Sequence, residues 1–171
     1  MMLRYIIQFA VLVYSYVLSN TYTNNDVILN ICVCKMAPNK LIVAVNEVST
    51  YINKLNSFHI TNACIYSTIP LCLSPDRSYT RFNNTLYGQT IHINININLL
   101  YNTNTLYNTL LHEFCHVMGL KHSEQYGMMN YTLWEINSYY VEDEVKRTLS
   151  VDDIQGIRES YKLVKARYCS I

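Results

Sequence analysis

Three of the five histidines in this 171-residue chain fall inside "LLHEFCHVMGLKHSEQYGMMNY", Leu110 to Tyr131. His112 and His116 are four apart. On a helix that spacing stacks two side chains on one face, so the two imidazoles can grip one metal ion. Glu113 lies about 100° round from His112, within reach of a water at the metal yet outside the ligand pair. Gly119 is the residue type that takes a left-handed conformation and ends a helix. The chain can then turn and bring His122 back to the same point. Three neutral imidazoles leave the fourth position of a tetrahedral zinc ion open, as a catalytic rather than a structural site requires. The predicted metal ligands are therefore His112, His116 and His122, with Glu113 as the general base of a hydrolysis.

The helix that presents them needs a start, a buried face and a stop. "YNTNT" offers Asn104 or Thr105 as the N-cap, Leu106, Leu110, Phe114 and Val117 form the core face, and Gly119 stops it. Cys115, one place before His116, reads as a small buried helix residue. Upstream, Asp26 to Cys34 is β-branched and predicts a strand. "APNKLIVAVNEVSTYINKLNSF" then opens on Pro38 and Asn39, with Leu41, Val45, Val48, Ile52 and Leu55 at helical spacing. Phe58 to Ile69 predicts one or two strands. Pro70 to Asn84 reads mainly as loop, with a short strand at Ser78 to Phe82. From Ile91 to Asn98 the chain alternates, Ile91, Ile93, Ile95 and Ile97 against His92, Asn94, Asn96 and Asn98, as in a strand with one face on a core. A last helix from Val151 to about Ala166 is capped by Ser150.

The ends and the composition set the context. "MMLRYIIQFAVLVYSYVLSN" has Arg4 ahead of an apolar run, then Val17 and Ser19 placed for a cut before Asn20. That is the pattern of a secretory signal, residues 1–19, leaving one domain over 20–171. The run is broken by Gln8 and falls short of the roughly 20 apolar residues of a membrane anchor. Six cysteines, Cys32, Cys34, Cys64, Cys72, Cys115 and Cys169, suit an exported protein, and their pairing is open. Thirteen basic against twelve acidic residues give a net charge of +1, with nothing to attract nucleic acid or hold a membrane surface. A monomer acting on proteins or peptides is expected.

With all five letters of HExxHxxGxxH present, in His112, Glu113, His116, Gly119 and His122, the chain resembles the metzincin metallopeptidases. Such a string arises by chance in roughly one chain in 10⁵ of this length, so an accidental cluster on a solvated helix face is set aside. "HEFCHVMGLKHS", with Leu120 and Ser123, is similar to the matrixin form of that motif. "GMMNY" resembles the Met-turn, with Met129 or Met128 beneath the metal. "LSVDDIQGIRESY" resembles the matrixin C-terminal helix, where one of Asp152 and Asp153 would fasten the Met-turn and the other could bind the mature N-terminal amine. The resemblance covers about residues 26 to 166. It implies a zincin-like α+β fold, a twisted and mostly parallel sheet with long helices, and a secreted, extracellular zinc endopeptidase. A silent secreted zinc-binding module would share the histidines, and Glu113 counts against it.

The departures from that family are specific. No prodomain with a cysteine switch is expected; "PLCLSPD", Pro70 to Asp76, echoes the switch from inside the domain. His92 and His59 lack the partners of a structural zinc site, and few aspartates are available for calcium. Where the family places a proline two residues after the methionine stands Tyr131, which would bind the metal or steady the transition state, or else line the specificity pocket. An extended substrate would pair with an exposed edge near Ile91 to Ile97.

Overall fold

The computed structural model describes residues 27–64, 69–85, 88–123, 127–130 and 144–168. The segment predicted as a secretory signal, Tyr131 and Cys169 lie outside these. In chain order the described elements are β1 (Ile28–Val33), α1 (Asn39–Asn53), β2 (His59–Asn62), β3 (Ile69–Ser74), β4 (Tyr79–Thr85), β5 (Gly88–Asn96), a 3-10 turn (Ile97–Tyr101), α2 (Thr103–Val117) and α3 (Val151–Tyr168). The strands form one five-stranded sheet in the order β2-β1-β3-β5-β4. All neighbours are parallel except β4, which runs antiparallel to β5 at one edge. The fold is the mixed α+β, mostly parallel architecture expected.

Register explains the core. Ile60 pairs with Leu29, Ile31 with Ile69, Val33 with Leu71, and Leu71 with Ile93. Because side chains alternate faces along a strand, these residues stand in one row on one side of the sheet, and all are buried. They share a single cluster with Leu41, Val45, Val48 and Ile52 of α1 and with Leu106, Leu110, Phe114 and Val117 of α2. The predicted stripe of α1 is its buried face as far as Ile52, with Leu55 half-buried past the helix end, whereas α2 is buried on all sides from Leu106 to Cys115 rather than along its predicted stripe alone. Among the described residues no helix is long and apolar enough to cross a membrane.

Three local expectations are corrected. The segment predicted as loop from Pro70 contains β3, a central strand paired on both sides. Pro70 sits second in that strand, one residue before the pairing with β5 begins at Leu71, and the alternation Ile69, Leu71, Leu73 continues past it. β5 ends at Asn96, so Ile97 and Asn98 leave the sheet. The Asn96 side chain accepts from the Asn98 N–H and starts the 3-10 turn. Finally, α2 is capped by Asn102, whose side chain accepts from the Thr105 N–H, rather than by Asn104 or Thr105.

Two disulfides staple the sheet where the sequence left fifteen pairings open. Cys32 of β1 bonds Cys64 just past β2, and Cys34 bonds Cys72 of β3. Cys115 is free and fully buried, as its place on α2 predicted.

Candidate metal centre

His112 and His116 project together from the C-terminal half of α2, their Nε2 atoms 3.1 Å apart. The helix ends at Val117, and Gly119 takes φ 95°, a conformation that strains any residue with a Cβ. Leu120 N–H then bonds back to the Cys115 carbonyl (3.0 Å), and Ser123 N–H to that of Met129 (2.7 Å). This return places His122 Nε2 at 3.1 Å from His112 and 3.2 Å from His116. The trio predicted as ligands is assembled at one point, His112 buried, His116 half-buried and His122 exposed.

The proton positions decide what can lie between them. His112 Nδ1 is 3.0 Å from the Met128 carbonyl, and His116 Nδ1 is 2.9 Å from that of Leu120. A carbonyl only accepts, so each Nδ1 carries the hydrogen and each Nε2 of a neutral ring presents a lone pair. Two lone pairs facing across 3.1 Å repel and make no hydrogen bond. A shared proton is disfavoured as well. Burial holds His112 well below the ordinary imidazole value, with His116 acting in the same direction, and burial lowers His116 to about 4. A cation resolves the conflict. Zinc at about 2.0–2.1 Å from each nitrogen sets ligand atoms about 3.3 Å apart on a tetrahedron, close to the spacings present. The three residues fit zinc.

The segment after the third histidine is held by α3. Asp153, buried, accepts from the N–H groups of Met128 (2.8 Å) and Met129 (3.3 Å) and from the Ser150 hydroxyl (2.7 Å). Ser150 returns its own hydroxyl as acceptor to the Asp153 N–H (3.1 Å), a reciprocal cap at the start of α3. Asp153 is therefore the aspartate that fastens the Met-turn, and Asp152 is exposed. Gly127 fits closely here, since a Cβ would stand 2.7 Å from Ser150 Oγ and 2.8 Å from Asp153 Oδ2 and would push those side chains off their partners. Met128 and Met129 are both buried. A chain of bonds runs from Asp153 to the Met128 N–H and from the Met128 carbonyl to the His112 ring. Asp153→Ala should cost about 2–4 kcal/mol in chemical denaturation, because it leaves buried donors unpaired. It should also weaken zinc binding about 10–100-fold, the usual cost of losing an outer support, as read by competition with a metallochromic dye.

Glu113, one residue from the first ligand, is buried and stands outside the imidazole trio. The Thr80 hydroxyl donates to its Oε2 at 2.6 Å. Burial pushes the carboxyl up to about 7, while Thr80 pulls the other way. Thr80 went unnoticed in the sequence, as nothing marks a threonine 33 residues upstream as a partner of Glu113.

His92 pairs across from Arg81 on β5, and His59 is exposed on β2; neither joins the metal trio. Asn130 is buried. The expected substrate edge is corrected. β5 is paired with β3 and with β4, so its backbone groups are spent on both sides. β4 is the edge, and a cavity of about 640 Å³ runs beside it, lined by Asp76, Arg77, Tyr79, Thr80, Arg81 and Phe82.

The family model described as Matrixin matches residues 44–162. No curated protein sequence matches the chain. Among solved structures it is similar to high choriolytic enzyme 1, a hatching enzyme zinc-protease from Oryzias latipes (medaka fish). The TM-score is 0.61 at 13% identity, covering 82% of this chain and 92% of that one. At that identity the likeness is one of fold.

Proposed function

This chain belongs to the matrixin family of metallopeptidases, and from that premise we propose that it is a secreted zinc endopeptidase cutting extracellular proteins or peptides. The observation that carries the reading is the convergence of three imidazoles, two of them with lone pairs forced inward, one residue from a buried carboxylate. His112, His116 and His122 would hold the ion. When bound, zinc supplies a Lewis acid that makes water nucleophilic near neutral pH and steadies charge on a carbonyl oxygen. Glu113 takes the proton of the attacking water and passes it to the leaving amine. Its burial suits both halves of that task, because it draws the carboxyl up from the ordinary carboxylate range, to about 7 before any cation acts on it.

β4 aligns the substrate. Among the described residues no further strand pairs with its outer edge, and an extended peptide added there would lie along the cavity and close to Glu113 through Thr80. Export agrees with the two disulfides, which form in oxidising compartments, and with the signal-like residues 1–19. A catalytically silent zinc-binding module has no use for a buried glutamate beside the metal. The experiment is incubation with a mixed peptide library, reading cut sites by mass. Cleavage should stop with a zinc chelator and return when zinc is restored; cleavage indifferent to the chelator, or none from the zinc-loaded protein, would refute the proposal.

A further inference from the structure

Among the described residues, the Glu113 carboxylate has one hydrogen-bond donor, the hydroxyl of Thr80 on the neighbouring edge strand. Thr80 pairs with Ile93 of β5, so its side chain emerges on the same face as that buried isoleucine, toward α2. Its Oγ1 lies 2.6 Å from Glu113 Oε2 and 3.3 Å from the Glu113 main-chain oxygen. A hydroxyl has a single proton to give. The shorter contact has the length of a charge-assisted O–H···O⁻ bond, while the main-chain oxygen belongs to the hydrogen-bond ladder of α2. The proton therefore goes to the carboxylate.

We infer that Thr80 is a positioning residue for the base, its hydroxyl pinning one oxygen of Glu113 and leaving the other to exchange the proton. The terminal torsion of a glutamate is broad and roughly two-fold, so the backbone of α2 does not by itself orient the carboxylate plane. With Glu113 only 4% exposed, solvent does not orient it either. Thr80 also lines the cavity beside β4. A peptide paired to that strand is thereby placed in register with the residue that holds the proton acceptor. The strand that aligns the substrate aligns the base as well, and their separation is set by one side chain.

This rests on the peptidase reading, and its test separates the two. Thr80→Val keeps the shape and favours a strand but removes the donor. Its kcat should fall about 10-fold, as expected for one hydrogen bond to a charged group, with KM within about twofold. Thr80→Ser, which restores the hydroxyl, should recover most of the rate, and Thr80→Ala serves if the valine variant does not fold. A kcat for Thr80→Val within about twofold of the parent, a loss confined to KM, or a serine variant as slow as the valine one overturns the inference while the peptidase stands. A zinc-loaded parent that cuts nothing sinks the peptidase reading itself, and the role with it. Independently of turnover, an isotope-edited infrared difference between parent and Thr80→Val, with Glu113→Gln as the blank, should show the carboxylate stretch displaced. An unmoved band overturns the contact.

Discussion

Glu113→Gln is expected to slow peptide-bond cleavage by about 10²–10⁴-fold, the range for a general base, while the chain stays folded and keeps its zinc. Glutamine has the same length and still accepts from the Thr80 hydroxyl through its amide oxygen, but it cannot take a proton. The substitution should not harm the fold. Burial raises the Glu113 carboxyl to about 7 from its ordinary value, so in metal-free protein the folded state holds that proton more tightly than the unfolded one. Stability from this group therefore declines as pH rises from the unfolded value toward about 7, and a neutral amide removes that decline. The same carboxyl sets an acid limb, because activity fades as pH falls through its pKa. A nearby divalent cation draws the pKa down, which puts the limb at or below 7. The measurement is kcat/KM against pH for parent and variant, with zinc content determined alongside. A variant within about tenfold of the parent at neutral pH would remove Glu113 from the chemistry.

What the sequence could tell divides along physical lines. The metal trio was legible because its geometry is local. Two histidines one turn apart and a glycine before the third need only a helix and its stop, and the φ of 95° at Gly119 is that stop. The apolar stripes of α1 and α2 and the alternation of β5 were legible for the same reason, since a period of 3.6 or 2 is written in neighbouring residues. Asp153 became visible through the resemblance. Its bonds to Met128 and Met129 span 25 and 24 residues, and no local pattern distinguishes it from Asp152.

Long-range pairing was hidden. Nothing near Cys32 states that Cys64 rather than Cys72 faces it; the parallel pairing of β1 with β2 and β3 decides that. Pro70 misled because a proline usually marks the end of a strand, whereas here the residues on either side, Ile69 and Leu71, are both held in the core. β5 looked like a substrate edge because its asparagines imply an open face. A face is not an edge, and the antiparallel addition of β4 covers the backbone that the alternation left unassigned. Thr80 was missed for the same reason, its role depending on which strand lies beside α2. The catalytic letters are local, and the groups that aim them come from across the sheet.

His122→Ala tests the metal centre with the least disturbance elsewhere and should have the second large effect. His112 and His116 belong to α2, and each is tied through Nδ1 to a main-chain carbonyl, so replacing either also disturbs helix packing or the turn. His122 is exposed, and the loop that carries it is fixed by the backbone bonds of Leu120 and Ser123. Alanine should leave that loop in place and the melting temperature of the metal-free protein nearly unchanged. Two imidazoles remain, one short of the three protein ligands a catalytic zinc ion takes. After dialysis the parent should retain about one zinc per chain and the variant well under half of that. Cleavage should fall by at least about 10³-fold, because the Lewis acid contributes several kcal/mol to the transition state. Excess zinc should recover part of that loss by mass action. A variant that holds zinc as tightly as the parent would mean that His122 does not bind the ion, and the convergence of its ring on the inward lone pairs of His112 and His116 would have to be explained without it.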